Sequence, residues 1–390
     1  MKKFLFIAAL ALGIIVAFEA CQSGNVVAPE KKLNLPAQTL RYADISLPAH
    51  LGGVRMGDLG VNDDGATLGR VLFYDGKLSL NNQIACASCH KQAYGFSDIT
   101  QYSKGFEGAV TTRNSMPIVN PVLNSTLFWD SRANSIEDLA LRPVKNHIEM
   151  GMESMKMLTQ KLTNTSYYPA LFEKAFGTSE VTEERIQSAM AQFMRTIITG
   201  NSKYDEGVDD LHANFTPLEK LGYDIFTSDK AKCSSCHMEP TFAPSGGGNM
   251  LMLNNNVFND PTSNFMIEPG GGMGNPYSQT LGTTNIGLDR VYADQGMGDG
   301  HFRIPSLRNI ELTAPYMHDG RFNKLEEVVE HYNSGIQAHP KLDHKFRDVN
   351  GNPTRLNLTE VEKQALVAFL KTLTDRQMCS DVRYSNPFSN

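Results

Sequence analysis

Apolar residues recur at the three- and four-residue spacing of amphipathic helices along much of the chain, whereas strand signals are sparse. Several of these segments begin with Ser, Thr or Asn, which are favoured N-cap residues because their side chains accept a hydrogen bond from the first helical turn. The pattern therefore predicts a mainly α protein. The helices are predicted at Ser135–Leu141, Lys156–Leu162, Tyr168–Phe176, Thr182–Thr199, Leu325–Tyr332 and Thr359–Leu373.

Two further helical segments, at residues 66–75 and 217–226, resemble each other. Each has apolar residues at helical spacing, a glycine where helices pack closely, and an aromatic residue near its end. Each also precedes a pair of cysteines. This repetition predicts two related domains.

The two cysteine pairs share the pattern Cys-x-x-Cys-His. They comprise Cys86, Cys89 and His90, and Cys233, Cys236 and His237. In this motif two thiols about one helical turn apart add to the vinyl groups of one haem, and the histidine reaches the iron. A split zinc site, a thioredoxin-like redox pair and two short-range disulfides are the alternatives, and none of them needs a histidine directly after each pair. The motifs therefore predict two covalently bound haem c groups.

The predicted architecture is mainly α, with two cytochrome c-like haem domains packed against each other and long ordered loops. The Gly- and Asn-rich stretch from 240 to 300 is predicted to be such a loop rather than a third domain. We assign residues 1–21 to a signal peptide, 22–44 to a tether, 45–205 to an N-terminal haem domain, 206–378 to a C-terminal haem domain and 379–390 to a tail. Cys379 has no partner motif, and the sequence leaves its role open.

The N-terminus has the pattern of an export signal. Lys2 and Lys3 precede an apolar run at residues 4–18, which is short for a membrane span, and small or polar residues surround Cys21. Cys21 occupies the position of a bacterial lipoprotein cysteine, so we expect a periplasmic protein that is tethered to a membrane by lipid. Ordinary cleavage to a soluble periplasmic protein is the alternative.

Composition limits the choice of partner. The chain has 390 residues, 41% of them apolar, which is enough for a core in each of two domains. Its 36 basic and 42 acidic residues are well mixed and give a formal net charge of −6. No basic stripe of the kind that follows a phosphate backbone is present, so we expect no nucleic-acid partner.

Several runs outside the haem motifs carry a family resemblance. They are Thr-Arg-Asn-Ser-Met-Pro-Ile-Val-Asn at 112–120, Phe-Trp-Asp-Ser-Arg-Ala at 128–133, Phe-Arg-Ile-Pro-Ser-Leu-Arg-Asn at 302–309 and Leu-Thr-Ala-Pro-Tyr-Met-His-Asp-Gly at 312–320. With their spacing they resemble the bacterial dihaem cytochrome c peroxidase and MauG family from about residue 45 to 375. The resemblance implies a peroxidatic first haem on His90, an electron-transfer second haem on His237, and a homodimer.

The resemblance also implies roles for individual residues. Glu149 matches the distal carboxylate that moves a proton between the peroxide oxygens, and Trp129 matches an electron relay between the haems. A surface carboxylate and an ordinary core aromatic are the respective alternatives. Asn114, Thr313 and Pro315 match positions that hold a calcium ion, which prefers such oxygen ligands.

Three departures from the family pattern change the prediction. No histidine lies between His90 and His147, so the first haem is expected to be open to peroxide without prior reduction. The position of an axial methionine is Tyr332, as in the MauG branch, where a tyrosine is the second ligand and lowers the potential. Met297, Met317 and His331 are the alternative ligands. Leu139 replaces a distal glutamine, which makes that pocket less polar.

These observations leave three functions open. The first is a peroxidase that reduces hydrogen peroxide to water with electrons from a small donor protein of the cytochrome c or cupredoxin type. The second is a MauG-like oxidase that uses peroxide-derived high-valent iron to oxidise a protein or organic substrate. The third is a non-catalytic dihaem electron carrier, against which Glu149 and the open first haem both argue.

Overall fold

The computed structural model describes residues 32–244, 283–289, 294 and 296–389. Residues Leu35–Pro387 form one compact unit. The protein is mostly helical, with 42% helix and 6% strand, which confirms the mainly α prediction. The predicted signal peptide, residues 22–31 of the predicted tether and most of the 240–300 stretch lie outside the described residues.

The secondary structure alternates helices with long connections. The α-helices of the described residues are α1 Asp63–Tyr74, α2 Cys86–Cys89, α3 Ile136–Ala140, α4 Arg142–Lys145, α5 Met155–Thr163, α6 Tyr168–Phe176, α7 Glu183–Arg195, α8 Lys203–Gly207, α9 Pro217–Thr227, α10 Leu325–Glu330 and α11 Glu360–Thr372. A π-helical turn, His331–Gly335, continues α10. Two short antiparallel strands, β1 Thr283–Thr284 and β2 Phe302–Arg303, pair Thr283 with Arg303 and Thr284 with Phe302.

The helix before each cysteine motif crosses a later helix at a glycine. A Cβ atom on Gly69 of α1 would lie 1.9 Å from the carbonyl oxygen of Ala189 in α7. A Cβ atom on Gly222 of α9 would lie 1.9 Å from the carbonyl oxygen of Ala365 in α11. Close contact of this kind requires the absence of a side chain. The predicted glycine crossings are therefore present in both halves of the chain.

Side-chain caps define the helix starts, as the sequence predicts. Ser135 and Thr182 each accept a hydrogen bond from the first turn of the helix that follows, and Thr359 forms a capping box with Glu362. The helix expected over Thr182–Thr199 ends earlier, at Arg195. A long-range contact accounts for this end, because the Asn120 side chain donates to the carbonyl oxygen of Thr199 and accepts from its amide, so these backbone groups are bonded outside the helix.

Two aromatic cores lie under the two motifs. The first contains Phe73, Phe96 and Phe193, and the second contains residues that are equally buried, namely Phe226, Phe242 and Phe369. Residues assigned to the tether and the tail also enter the first core. Tyr42 is fully buried and donates to the carbonyl oxygen of residue 383, and Tyr384 is 2% exposed.

A repeated turn follows each motif. Isolated bridges pair Leu127 with Ala133 and Tyr316 with Phe322, and each closes a tight loop. Trp129 lies in the first loop and His318 occupies the equivalent place in the second. The strand β2 lies beside the first loop, since the amide of Arg303 donates to the carbonyl oxygen of Trp129 at 2.7 Å.

Candidate active site

The first motif begins with the short helix α2, a single turn whose first and last residues are the two cysteines. The Nδ1 atom of His90 lies 3.0 Å from the carbonyl oxygen of Phe96. A carbonyl oxygen only accepts, so Nδ1 carries the proton and Nε2 keeps its lone pair. Burial lowers the pKa of His90, which favours this neutral form.

The second motif has the same arrangement on a 3₁₀ turn, Cys233–Ser235. The Nδ1 atom of His237 donates to the carbonyl oxygen of Phe242 at 3.1 Å, and burial lowers the pKa of His237 to about 4. Both histidines therefore offer a neutral Nε2 as a metal ligand, oriented by a backbone hydrogen bond as metal-binding histidines usually are.

Glu149 lies at the first motif. Its carboxylate is close enough to Cys86 and Cys89 to act electrostatically on both thiols. The side chain of Asn146 donates to Glu149 Oε1 at 2.9 Å, and the amide of Phe106 donates to the Glu149 backbone carbonyl at 3.0 Å. Burial raises the pKa of Glu149, and the positive charge of Arg132 opposes that rise. The carboxyl is thus held in place beside the first motif.

Trp129 connects the two halves of the compact unit. Its indole Nε1 donates to the carbonyl oxygen of Asn114 at 2.9 Å, and its ring meets the edge of the His318 ring with the centroids 6.5 Å apart. His318 in turn stacks on Phe302 at 3.8 Å. A continuous aromatic contact therefore runs from Trp129 into the C-terminal half.

Tyr332 lies at the second motif, in the π-helical turn. Burial raises the pKa of its hydroxyl group. Cys233 and Cys236 lie close enough for a negative charge on either sulfur to raise that pKa further. The neighbouring His331 points elsewhere, because its Nε2 lies 3.0 Å from the carbonyl oxygen of Ile286. Met297, another ligand considered from the sequence, has an exposed fraction of 50%.

The three residues matched to a calcium site belong to two loops that touch. The amide of Asn114 donates to the carbonyl oxygen of His318 at 2.8 Å, close to Thr313 and Pro315 along the chain. The side-chain nitrogen of Asn114 donates to two backbone carbonyls of residues 100 and 101, which leaves its Oδ1 available. The described residues contain no cluster of three or more His, Cys, Asp or Glu that could hold a metal ion. Any ion at these loops would depend on amide and carbonyl oxygens.

The comparison with known proteins decides the family. A family model described as di-haem cytochrome c peroxidase matches residues 63–212. The cytochrome c551 peroxidase of Nitrosomonas europaea is 32% identical over 81% of this chain and 81% of its own length. The methylamine utilization protein MauG of Methylorubrum extorquens is 30% identical over 78% of this chain and 77% of its own length. This chain belongs to the di-haem cytochrome c peroxidase family.

Solved structures of similar fold agree with this membership. A MauG-like protein associated with microbial copper homeostasis has a TM-score of 0.70 at 27% identity, and the match covers 94% of this chain and 99% of that one. The diheme peroxidase BthA from Burkholderia thailandensis has a TM-score of 0.59 at 21% identity. The match covers 91% of this chain and 96% of BthA, and it supports the fold alone. As a family member, this di-haem peroxidase-like protein is an oxidoreductase that uses peroxide, and its family binds two haem c groups.

The residues present fit that cofactor. Each pair of cysteines is followed directly by a histidine whose Nδ1 is bonded to a backbone carbonyl oxygen, which directs Nε2 to the role of iron ligand, as covalent haem requires. The enclosed guanidinium of Arg303 is a further indication, which the sequence did not reveal. It donates to Phe128 O and Asn124 Oδ1, each at 3.2 Å, and has no carboxylate partner among the described residues. Burial lowers the pKa of Arg303 to about 10, and such a cation suits the acidic propionates of a haem.

Arg132 is the other contributor that sequence reasoning missed. It belongs to the run that carries the family resemblance, but only the folded chain brings its charge near Glu149. Its guanidinium lies 3.6 Å over the Phe128 ring and donates to Asp130 Oδ1 at 2.8 Å.

No helix among the residues described is long and apolar enough to cross a membrane.

Proposed function

We propose that this protein is a peroxidase that reduces hydrogen peroxide to water at the first haem, with electrons that a small donor protein supplies through the second. The observation that carries the proposal is the partly buried carboxyl group of Glu149, which lies close enough to both thiols of the first motif to act on them electrostatically. Cys86, Cys89 and His90 would hold the haem there, and its iron would supply the redox chemistry for cleavage of the O–O bond. Glu149 accepts a proton from one peroxide oxygen and donates it to the other, which leaves as water. The raised pKa suits a group that does both.

The first haem is proposed to keep one coordination face open. The nearest histidine after His90 in sequence is His147, whose side chain is exposed. His318 is stacked on Phe302, and His50 is bonded to Asp205. An open face would allow peroxide to bind the fully oxidised protein without prior reduction.

Electrons are proposed to reach the first haem through Trp129. Its ring contacts described above support this role, since an aromatic ring between two redox centres divides the distance that the electron must cross into two shorter steps.

The donor is proposed to dock where the second motif meets solvent. Lys345 and Lys232 lie there, and their ammonium groups donate to backbone carbonyls rather than to carboxylates, at 2.8 Å and 3.0 Å. This pair favours a donor with an acidic surface.

A MauG-like oxidase is the second candidate, and the position of Tyr332 favours it. A phenolate on the second iron is a hard, anionic ligand that stabilises the oxidised state and would make that haem a poor acceptor from high-potential donors. The oxidising equivalents would then be used on a protein or organic substrate. In that case peroxide without a donor should give a long-lived oxidised state.

Three further assignments remain proposals. Calcium is proposed to bind Asn114, Thr313 and Pro315, supported by the contact between their two loops. Members of the family are periplasmic, and we propose that lipid on Cys21 tethers this protein to a membrane there. A homodimer is proposed from the family resemblance.

Steady-state peroxide consumption with a reduced small cytochrome c tests the proposed function. Glu149→Gln should lower kcat/KM for peroxide about 10²- to 10⁴-fold, because proton transfer by a positioned side chain contributes that much. Glu153→Gln, an exposed glutamate in the same segment, is the matched control and should leave the rate unchanged. Equal rates in the wild type and Glu149→Gln would exclude Glu149 as the distal acid and base, and an inactive wild type would favour an electron carrier.

A further inference from the structure

Two adjacent tyrosines share one oxygen atom of a buried carboxylate. The hydroxyl groups of Tyr167 and Tyr168 donate to Asp75 Oδ2 at 2.6 Å and 2.8 Å. Their ring centroids are 4.8 Å apart. Asp75 is 2% exposed and Tyr168 is fully buried, whereas Tyr167 is only partly buried. The pair therefore leads from the interior towards the surface.

This group of three residues lies beside the first haem site. Tyr168 is close enough to Cys86 for the two to interact electrostatically. Asp75 follows α1, and five residues later the amide of Leu80 donates to the carbonyl oxygen of Met150 at 2.9 Å. Met150 follows Glu149 directly, so the loop that begins at Asp75 touches the segment that carries the distal carboxyl.

The hydrogen bonds have a specific chemical consequence. A neutral tyrosine gives up an electron easily only if its phenolic proton leaves at the same time, because the oxidised phenol is a strong acid. A carboxylate that already accepts the hydroxyl hydrogen bond can take that proton without any rearrangement. Because Tyr167 and Tyr168 use the same oxygen of Asp75, one acceptor serves both in turn.

We propose that Tyr168, Tyr167 and Asp75 form an exit route by which oxidising equivalents leave the first haem site and oxidise a small phenol at the surface. The route rests on the peroxide chemistry of that site. Tyr168 gives one electron to the haem site and its proton to Asp75. Tyr167 then gives an electron to Tyr168, while Asp75 returns the first proton and accepts the second. A phenol supplies the last electron and releases its own proton to solvent, and Asp75 returns the proton to Tyr167.

The reaction balances over two such passages. One hydrogen peroxide and two phenols give two waters and two phenoxyl radicals. The protons released by the phenols to solvent equal those that the peroxide oxygens take up. No reductant other than the phenol is needed.

Freeze-quench electron paramagnetic resonance after one equivalent of peroxide, without a donor, tests the route. The wild type should show a tyrosyl radical whose hyperfine pattern changes when the protein carries ring-deuterated tyrosine. Tyr168→Phe should lose the signal, and Tyr167→Phe should lose oxidation of the phenol guaiacol while keeping its oxidation of reduced cytochrome c. Tyr94→Phe is the matched control, because Tyr94 is 39% exposed and lies four residues after His90.

Absorbance spectra separate failure of this route from failure of the proposed function. A Soret band that responds to peroxide without any tyrosyl radical, or a radical that persists in both tyrosine variants, would overturn the exit route and leave the peroxidase proposal standing. A Soret band that does not respond to peroxide would overturn both. Asp75→Asn should lose the radical as well, and if it fails to fold the two phenylalanine variants decide.

Discussion

At the scale of single residues, the pKa of Glu149 is set by two opposed effects. Burial raises it, and the charge of Arg132 lowers it. Asp130 and the ring of Phe128 hold Arg132 in position. The peroxide reaction begins with proton transfer to the carboxylate, so its rate should fall as pH drops through the raised pKa of Glu149.

The variant Arg132→Gln should therefore move the acidic limb of kcat/KM for peroxide to higher pH. Removing a nearby positive charge disfavours the carboxylate, so Glu149 becomes protonated at a higher pH than in the wild type. The pH profile of kcat/KM measures this directly. Arg142→Gln removes an arginine that pairs with Asp138 instead, and its profile should match the wild type. A limb at the same pH in Arg132→Gln and the wild type would contradict this account.

The residue scale is where the sequence was most informative. The motifs around His90 and His237 specify chemistry through adjacent residues, so no folding is needed to recognise them. Glu149 and Tyr332 were found only through family resemblance. Their closeness to the two motifs depends on contacts across the chain, and so do the environments of Arg132 and Arg303, which no local pattern predicts.

At the scale of secondary-structure elements, one close helix crossing positions the helix that precedes each cysteine motif. At Gly69 and Gly222 a carbonyl oxygen of the crossing helix lies where the methyl group of an alanine would overlap it. The next residue near Gly69 is Phe193, and the next residue near Gly222 is Phe369. An aromatic side chain therefore packs beside each crossing. The same solution therefore occurs in both halves.

Gly69→Ala and Gly222→Ala should each destabilise the protein by about 1–3 kcal/mol, the usual cost of forcing extra volume into a packed contact. The midpoint of chemical denaturation, followed by far-ultraviolet circular dichroism, measures the loss. Lys220→Ala on α9 is the control, because its i,i+4 pair with Asp224 is exposed and worth at most about 0.5 kcal/mol. A midpoint for Gly222→Ala equal to that of Lys220→Ala would show that the crossing tolerates a side chain.

Periodicity predicted most of these elements but not all their ends. The helix Tyr168–Phe176 has the predicted bounds. The helix expected to end at Tyr332 stops at Glu330 and continues as a π-helical turn, which places Tyr332 in irregular backbone. The helix after Thr182 is cut short by Asn120, which lies far away in sequence. Ends set by such long-range contacts cannot be read from local spacing.

At the scale of the whole molecule, a buried ion pair joins segments that are distant in sequence. Asp205 is bonded to Arg308 at 2.9 Å, to His50 at 2.7 Å and to Ser202. Arg308 also donates to the carbonyl oxygen of Pro240, three residues after His237. These partners hold the pKa of Asp205 well below its usual range. The stability they give is therefore present above the ordinary aspartate pKa and is lost as pH falls through the lowered one.

Arg308→Met should cost about 3–5 kcal/mol of stability at neutral pH, because it leaves a buried carboxylate short of its main cation. The difference from the wild type should shrink as pH falls and Asp205 becomes protonated. Denaturation midpoints measured across the acidic range test this. Arg376→Met breaks an exposed pair with Glu311 and should cost at most about 1 kcal/mol. Equal losses in the two variants would contradict the buried-pair account.

The packing of the described segments around residues 42 and 384 was the least predictable feature. Residues assigned to a tether and a tail contribute Tyr42 and Tyr384 to the first core. The hydroxyl of Tyr74 donates to the carbonyl oxygen of residue 384 at 2.6 Å. Such partners lie hundreds of positions apart, so composition alone does not reveal that the described segments around Tyr42 and Tyr384 are packed.

The central claim is that the first haem keeps an open face beside Glu149. The electron paramagnetic resonance spectrum of the fully oxidised protein tests it most directly. We expect one high-spin ferric haem, assigned to the first site, and one low-spin haem at the second. Two low-spin haems, each with protein ligands on both faces, would contradict the account.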